Sequence, residues 1–466
     1  MPPRRRRWQR SLWSVIAVTA LIAAACGGSS AAGSGQPGPD LPQEQGLSNP
    51  TSVAEPAASS SDASSDPGQT PVAAEPAREP FLATDVTETA SGSPIIRTEF
   101  RPRVEEAFTT WKTNWLIRIV DVNELVSGGV PRDGIESIDN PQFETIEAVA
   151  SLYTDATPVI EVNINGDVRA YPLQILSWHE VLNDVVGGLP LVVTFCPLCN
   201  SAIAYERTIA GEVFEFGVSG ALRNSDLVMY DRTTESLWQQ IGGEAIVGDM
   251  VGAVLIPVRA PVVPFRSFRE RHPDGLVLSQ NTNTVRERDY TLSAYRGYDR
   301  IDSEAGFDVA NADDRRLAAK ERVVAIRIEG EPLAYPFTTL AQLGVINDVH
   351  KGQAIAVFWA PGTASVLDTI DIAEAADIGS SGVFSPVVGD QTLSFFPNPE
   401  DAARATFLDT VTRSVWNMVG GAVKGPLAGT QLAPIVHANH FWFAWVAFEP
   451  ETLVITEGRG ASVTES

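Results

Sequence analysis

The sequence predicts an α+β protein that is mostly β, in which a β-rich body with short helices is duplicated as two pseudo-symmetric halves. One observation is a repeat, because Tyr171-Pro172 and Asn183-Asp184 recur as Tyr335-Pro336 and Asn347-Asp348, 164 residues further on. The other is the local pattern, since short alternating apolar segments bounded by glycine-containing turns are typical of strands. Residues present in only one copy are the better candidates for chemistry, because both copies need the same packing residues.

The repeat continues downstream with small changes of offset. Asp231 and Trp238 recur as Asp409 and Trp416, 178 residues later. At an offset of 177, a further set recurs: Gly252, Leu255, Pro257, Pro273 and Leu276 become Gly429, Leu432, Pro434, Pro450 and Leu453.

Residues 1–26 are predicted to be a bacterial lipoprotein signal peptide. A charged segment, Arg4 to Arg7, precedes an apolar run from Ser14 to Ala25 that is shorter than the roughly 20 residues a bilayer-spanning helix needs. The run ends in Ala23-Ala24-Ala25-Cys26-Gly27, which resembles the lipobox. We therefore expect lipidation at Cys26 and a lipid-anchored location at the extracytoplasmic face of the cell membrane. A plain signal peptide with a spare cysteine is the alternative.

Residues 27–95 are predicted to be a disordered tether. From Gly27 to about Pro80 the chain holds almost no large apolar side chains, so it cannot bury enough surface to offset the entropy of ordering. A flexible segment of about fifty residues reaches roughly 40 Å on average, which holds a folded body just off a membrane.

The composition argues against nucleic acid as a partner. The net charge is −24 and the chain contains only four lysines, whereas nucleic-acid binding depends on basic patches. The expected partner is the membrane, through the N-terminal lipid, and a small molecule, a metal or an envelope protein remains open as a second partner.

The folded body is predicted to comprise a lead-in and first copy (96–285), a connection (286–318) and a second copy (319–466). Each copy opens with a β-hairpin and a short helix, followed by a strand buried on both sides. In the first copy these are Val159 to Ile164, a turn at Gly166-Asp167, Val168 to Tyr171, a helix that carries Leu173, Leu176 and His179, and Leu191 to Phe195. In the second copy they are Val323 to Ile328, a turn at Glu329-Gly330, Pro332 to Tyr335, and Ile355 to Trp359.

After the buried strand of the first copy, the pattern predicts more β structure and no long helix. A second hairpin is expected from Ala202 to Ile209 and from Glu212 to Val218, with its turn at Ala210-Gly211. Leu227 to Tyr230 and Leu237 to Gln240 are expected to form further short strands.

The two copies differ most sharply directly after the buried strand. There the first copy has Cys196-Pro197-Leu198-Cys199, and the second copy has Ala360-Pro361-Gly362-Thr363. A disulfide between these cysteines would close a loop of about four residues, worth roughly 1.9 kcal/mol against about 4.7 for a hundred-residue loop. A redox pair is possible, with Cys196 attacking, Cys199 resolving and His179 shuttling protons, but the missing helix argues against a thioredoxin fold.

A soft-metal site is the third interpretation of the cysteine pair. Two thiolates need further ligands, typically imidazoles. The chain has five histidines, and His437 and His440 stand three apart in the second copy where the first has Ala260 and Val263. We expect His179, or the pair His437 and His440, to complete the shell, whereas His272 and His350 are interpreted as packing residues.

A polar stretch, Arg223-Asn224-Ser225-Asp226, lies between two predicted strands and could line a pocket near the thiols, although such a stretch is more often a plain loop. The chain contains no phosphate-binding glycine loop and no Gly-x-Ser-x-Gly elbow.

Several motifs resemble those of a prokaryotic family known as domain of unknown function 3179. The resemblance covers roughly residues 110 to 457 and implies that the cysteine pair and the His-x-x-His segment are family signatures, but it implies no activity. It is carried by Ala170-Tyr171-Pro172-Leu173, Ser177-Trp178-His179-Glu180, Asn183-Asp184, Thr194 to Cys199, Phe216 to Gly220, Asn224 to Asp231, Phe358 to Ala364 and His437 to Trp445.

The sequence therefore predicts a membrane-tethered lipoprotein whose site at Cys196 and Cys199 binds a soft metal, copper or zinc. The alternatives are a thiol-disulfide oxidoreductase and a non-enzymatic envelope binding module with a structural disulfide.

Overall fold

The computed structural model describes residues 80–82, 85–97 and 110–459. The predicted signal peptide, Cys26 and most of the predicted tether lie outside these ranges. The described residues belong to one compact unit, which is mostly β with short helices and confirms the predicted class. None of the helices within these ranges is long and apolar enough to cross a membrane.

The segment that precedes the first copy contains short elements only. They are β1 (Ile96–Arg97), β2 (Ile117–Arg118), a 3-10 helix (Val122–Glu124), β3 (Val126–Ser127), β4 (Phe143–Thr145) and α1 (Ile146–Val149).

The first copy consists of fourteen strands and two helices. They are β5 (Pro158–Ile164), β6 (Asp167–Pro172), α2 (Leu173–His179), β7 (Val181–Val186), β8 (Leu189–Cys196), β9 (Ser201–Glu206), β10 (Thr208–Ile209), β11 (Glu212–Val213), β12 (Phe216–Arg223), β13 (Asp226–Asp231), β14 (Leu237–Gln239), β15 (Ala245–Val247), β16 (Ile256–Val258), β17 (Val262–Pro264), α3 (Phe265–Arg271) and β18 (Leu276–Leu278).

The second copy repeats this order and adds a 3-10 helix. Its elements are β19 (Arg322–Ile328), β20 (Glu331–Pro336), α4 (Phe337–Leu343), β21 (Val345–His350), β22 (Gln353–Ala360), a 3-10 helix (Ile372–Glu374), β23 (Ser380–Ser385), β24 (Val387–Val388), β25 (Gln391–Thr392), β26 (Phe395–Pro397), β27 (Thr406–Asp409), β28 (Val415–Asn417), β29 (Ala422–Lys424), β30 (Ala433–Pro434), β31 (Ala438–Phe441), α5 (Trp442–Phe448) and β32 (Leu453–Val454).

The strand order within the sheets is the same in both copies. The first copy has β17-β5-β6-β18, β16-β9-β8-β7 and β12-β13-β14-β15, and the second has β31-β19-β20-β32, β30-β23-β22-β21 and β26-β27-β28-β29. The repeat seen in the sequence is thus a repeat of strand order. The lead-in strands extend only the first copy, since β2 and β3 lie at the two ends of the β12–β15 sheet and β4 pairs with β18.

The first hairpin turns one residue earlier than predicted. Ile164 pairs with Asp167, so the turn is Asn165-Gly166 rather than Gly166-Asp167. Both turn residues have positive φ, 53° and 87°, which Asn and Gly tolerate best. In the second copy the turn lies at Glu329-Gly330, as predicted.

The second hairpin is shorter than predicted. Its turn at Ala210-Gly211 is correct, but only β10 and β11 pair across it. The chain before it, β9, pairs with β8, and the chain after it, β12, pairs with β13. Burial explains why β9 pairs within a larger sheet. Every residue from Ser201 to Tyr205 is buried, and an isolated two-stranded hairpin could not bury a strand on both of its faces.

Both copies contribute to one main core. It contains the buried strand of the first copy and both cysteines, together with Val366, Leu367 and Phe441 of the second copy. The copies therefore share packing, so residues far apart in sequence can meet near the cysteines.

Candidate functional site

The two cysteines lie on a tight turn between β8 and β9. Cys196 ends one strand and pairs with Ser201, which begins the next. Inside the turn, the Cys199 N–H donates to the Cys196 carbonyl and the Asn200 N–H to the Pro197 carbonyl, both at 3.2 Å. A strand follows the turn, as the sequence predicted. In the second copy, the corresponding connection grows from four residues (197–200) to nineteen (361–379).

A second turn, between β12 and β13, faces the first. Asn224 and Ser225 adopt positive φ values of 53° and 63°, which directs the Ser225 carbonyl at the thiols. The Cys199 thiol donates to this oxygen at 3.3 Å, and the Cys196 sulfur lies 3.9 Å from it. Asp226 follows directly. The ligand atoms of Cys196, Cys199 and Asp226 all lie within 4.8 Å of one another, and no other such group of three is found among the described residues.

The Asp226 carboxylate is held on one side and free on the other. Its Oδ2 accepts from the Gln239 side chain at 2.6 Å and from the Ile241 N–H at 3.0 Å. Its Oδ1 is buried and accepts no hydrogen bond of ordinary geometry in the described chain, although both thiols lie near enough to the carboxyl group to lower its pKa. A buried oxygen with free lone pairs is costly, so it marks a place that can accept a ligand.

Burial dominates the protonation of this cluster. Asp226 and Cys199 have no exposed surface and Cys196 has almost none. Burial raises the pKa of Asp226 to about 6, raises the pKa of Cys196, and raises the pKa of Cys199 well above its usual value. Without a cation, the two thiols therefore keep their protons near neutral pH, whereas Asp226 is protonated only below about pH 6.

Glu180 places a second carboxyl near the thiols. It lies at the end of α2 with φ 59°, whereas the equivalent residue of the second copy is Gly344 with φ 73°. A glutamate rarely adopts this backbone conformation, and such strain is typical of functional positions. The Tyr295 hydroxyl donates to Glu180 Oε1 at 3.2 Å, and burial raises the pKa of Glu180 to about 7.

The connection between the copies covers this site. Besides Tyr295, it contributes the Phe307 N–H, which donates to Ser225 Oγ at 3.2 Å, and the Ala310 N–H, which donates to Asn224 Oδ1 at 2.9 Å. Asn224, Ser225 and Asp226 of the polar stretch therefore lie beside the thiols, and that the stretch lines a pocket stays a prediction. The remaining residue of the stretch is Arg223. That side chain forms an ion pair with Glu124 at 2.7 Å instead.

None of the histidines belongs to the Cys196, Cys199 and Asp226 cluster. Both nitrogens of His179 are occupied, Nδ1 by the Glu136 carbonyl and Nε2 by the Tyr290 hydroxyl, each at 2.7 Å. Burial lowers the pKa of His179, so the ring is neutral near pH 7. That an imidazole completes the metal shell stays a prediction, and the structure supplies a carboxylate beside the thiols.

The His-x-x-His segment does meet the cysteine turn, but through its backbone. The Phe441 N–H donates to the Cys199 carbonyl at 2.8 Å. The imidazoles of His437 and His440 line a separate cavity. The two remaining histidines contact carboxylates, His272 with Glu161 at 3.4 Å and His350 with Glu331 at 2.7 Å, as expected of packing residues.

The sequence alone does not single out Glu180 or Tyr295 as site residues, and it indicates Asp226 only as a pocket residue. The turn before Asp226 has two residues, whereas the second copy joins the equivalent strands by a longer connection (398–405). Comparison of the copies pairs Glu180 with Gly344, and this difference is a signal for the position of Glu180. Tyr295 lies in the connection, which has no repeated partner to compare.

Comparison with known proteins gives a family without an assigned activity. A family model described as "Protein of unknown function (DUF3179)" matches residues 132–452. Neither a curated protein nor a solved structure matches the chain significantly.

Proposed function

We propose that Cys196, Cys199 and Asp226 bind one soft or borderline metal ion. The chain belongs to the DUF3179 family of proteins of unknown function, and the proposal proceeds from that membership. Zinc fits these ligands better than copper. The observation that supports this most strongly is the buried convergence of two thiols and a carboxyl within 4.8 Å, with no hydrogen bond of ordinary geometry to Asp226 Oδ1 in the described chain.

Electrostatics supports a cation at this position. Neither Asp226 nor Glu180 forms an ion pair with another residue that the structure describes. Burial of acidic groups without a cation is tolerable only while they stay protonated. A bound divalent ion displaces the thiol protons, which converts the thiols into thiolate ligands, and it compensates the charge of the Asp226 carboxylate. The low dielectric that raises the pKa values then strengthens the attraction between metal and ligands.

The distances suit a small tetrahedral ion. With Zn–S of about 2.3 Å and Zn–O of about 2.0 Å, ligand atoms around one zinc lie about 3.5–3.8 Å apart. The free groups lie within 4.8 Å, so a contraction on the order of 1 Å forms the shell. Three protein ligands leave a fourth position for another group.

The carboxylate distinguishes the candidate metals. Zinc accepts thiolate, imidazole and carboxylate ligands, whereas Cu(I) selects soft thiolate and thioether ligands. A shell of two thiolates and the Asp226 carboxylate therefore favours zinc.

Thiol-disulfide exchange remains the alternative from the sequence, and burial weighs against it. A catalytic thiol needs a lowered pKa and access to its substrate. Here Cys196 and Cys199 are buried and burial raises both pKa values. A structural disulfide also stays open as an alternative, because the two sulfurs, which are free thiols here, lie within 4.8 Å of each other.

The test is metal analysis of protein that was purified anaerobically. We expect about one equivalent of zinc, lost in Cys196→Ser and in the nearly isosteric Asp226→Asn. The matched control is Asp231→Asn at the far end of the same strand. Asp231 is equally buried but accepts from Thr234 and Trp238, contacts that Asp409 reproduces with Thr412 and Trp416 in the second copy.

Zinc retained in folded Asp231→Asn and lost in Asp226→Asn supports the site. No metal in the parent protein after growth and purification with zinc contradicts it. A measured thiol potential near or above about −230 mV in metal-free protein would favour the oxidoreductase, and one below about −300 mV the structural disulfide.

The proposed location is the extracytoplasmic membrane face, with the lipid on Cys26 as the anchor. Arg4 to Arg7, the apolar run from Ser14 to Ala25 and the Ala25-Cys26 junction support it. In the native host, Cys26→Ser should move the protein from the membrane fraction to a soluble or unprocessed form. An unchanged membrane association would contradict lipid anchoring.

A further inference from the structure

A cavity of about 350 Å³ lies between the two copies, and neither Cys196 nor Cys199 lines it. One wall comes from β9 and the segment around Leu255, and the opposite wall comes from β19 and the His437-to-Trp445 segment. Its volume falls within the range of small-molecule sites. Most of the lining is apolar, with side chains such as Ile203, Ile241 and Leu255.

Two of the side chains that line this cavity each carry a buried nitrogen without a hydrogen-bond partner among the described residues. These nitrogens are His440 Nδ1 and Trp445 Nε1, on side chains that are 2% and 3% exposed. The rings stack on each other, with centroids 5.3 Å apart and planes 12° from parallel. An indole N–H can only donate, so Trp445 requires an acceptor that the protein does not provide. The pair therefore marks a place for a ligand with acceptor oxygens.

The charged side chains around the cavity indicate the sign of the charge that the ligand carries. Arg259, next to the lining residues Val258 and Ala260, forms no ion pair with any residue of the described chain. Arg327 lines the cavity and is paired with Glu449, its Nε lying 2.9 Å from Oε1. Glu161 also lies near Arg259, but its carboxylate is bound by Arg271 and His272. One guanidinium therefore lacks an ion pair of its own, which favours a single negative charge on the ligand.

The histidines carry no charge of their own. Burial, and then the nearby Arg259, lower the pKa of His437 to about 4. Burial, and then Arg327, lower the pKa of His440 to about 3. Neutral imidazoles can bind metals, but the guanidinium of Arg259, which forms no ion pair with a described residue, repels a cation. The electrostatic environment therefore argues for an anion at this second site.

We propose that this cavity binds a small amphiphile with one anionic head group, of the monocarboxylate class. The head group accepts hydrogen bonds from Trp445 Nε1 and the His440 imidazole, and Arg259 neutralises its charge. The apolar part packs against Ile203, Ile241 and Leu255. The proposal is independent of the metal at Cys196 and Cys199, and it gives His437 and His440 a role other than metal ligation.

The test is calorimetric titration of the full chain with octanoate, in parallel with octan-1-ol and octylammonium. We expect octanoate to bind at least tenfold more tightly than either, since a charge-assisted hydrogen bond in a buried site is worth about this factor. Equal binding of octan-1-ol would show a merely apolar cavity and overturn the proposal, as would the absence of octanoate binding.

Matched variants locate the site. Trp445→Phe removes the N–H and keeps a ring, and should weaken octanoate about tenfold. Trp359→Phe is the control, because Trp359 Nε1 is also buried without a described partner but does not line this cavity. Arg259→Met should weaken octanoate similarly without breaking an ion pair, which keeps the test valid if Trp445→Phe fails to fold. Equal effects of the two tryptophan variants would refute the assignment.

A metal ion is the competing occupant. Zinc is titrated into the Cys196→Ser variant and into the double variant that also carries His440→Ala. We expect the same binding heat from both proteins, because His440 is not a metal ligand. A binding heat that His440→Ala removes would overturn the anion proposal and support the histidines as metal ligands, whereas equal heats support the proposal.

Discussion

Replacement of Glu180 by glutamine should stabilise the metal-free protein at about pH 8 and have little effect at about pH 4. Burial raises the pKa of Glu180 to about 7 from an unfolded value of 4.5. The folded protein therefore holds this proton while the unfolded chain releases it. By linkage, the free energy of unfolding falls as the pH rises from about 4.5 to about 7.

The size of the effect follows from these two pKa values. A difference of about 2.5 pKa units corresponds to about 3 kcal/mol, since one unit is worth about 1.4 kcal/mol. Glutamine cannot ionise, so it avoids this cost. Its amide oxygen can still accept the hydroxyl of Tyr295. We therefore expect Glu180→Gln to gain up to about 3 kcal/mol at pH 8.

The assay is guanidinium-induced unfolding with a chelator present, at both pH values, for the parent and the variant. Glu161→Gln is the matched control because it should behave oppositely. Glu161 is also buried, but Arg271 and His272 lower its pKa to about 2. Its contribution to stability is present above about pH 4.5 and is lost only as the pH falls toward 2, so Glu161→Gln should destabilise the protein at pH 8.

Two results would refute this reasoning. One is a Glu180→Gln effect that is the same at pH 4 and pH 8, which would mean that the carboxyl is not desolvated. The other is destabilisation by Glu180→Gln at pH 8.

Three further predictions concern the thiol cluster. Zinc at about 100 times its dissociation constant should stabilise the protein by about 2.7 kcal/mol, measured as a rise in melting temperature that Asp226→Asn abolishes; an equal rise in that variant would place the metal elsewhere. Zinc affinity, measured by competition with a chromogenic chelator, should fall as the pH is lowered through the neutral range, because zinc must displace both thiol protons, and should fall more steeply below about pH 6, where Asp226 also binds a proton; an affinity independent of pH would rule out these ligands. In metal-free native protein, a disulfide reagent should modify Cys196 and Cys199 far more slowly than after denaturation, because burial raises both pKa values; native reactivity like that of free cysteine at neutral pH would restore the redox interpretation.

The comparison of the two copies predicted much of the fold and part of the site. The repeated hairpins, the helices at Leu173–His179 and Phe337–Leu343 and the buried strands follow from local periodicity, and the structure contains them. The same comparison pointed to Cys196 and Cys199 as an addition to one copy. It was less accurate at turns, because the register of a hairpin depends on which residues adopt positive φ.

The ligands beyond the cysteines could not be predicted in the same way. Asp226 reaches the thiols because the β12–β13 turn faces the cysteine turn, which is a property of sheet packing. Histidines are the usual partners of thiolates in metal sites, and composition therefore favoured them. The structure instead hydrogen-bonds both nitrogens of His179 and places His437 and His440 at a cavity.

The sequence by itself determined the duplicated order of strands and the place where the copies differ, because periodicity and turn chemistry act over a few residues. Only the tertiary structure decided which groups meet there. The second copy touches Cys199 through the Phe441 N–H, while the side chain of His440 faces the cavity. Which side of a strand meets a distant turn depends on pleat and register, and long-range packing of both copies sets these.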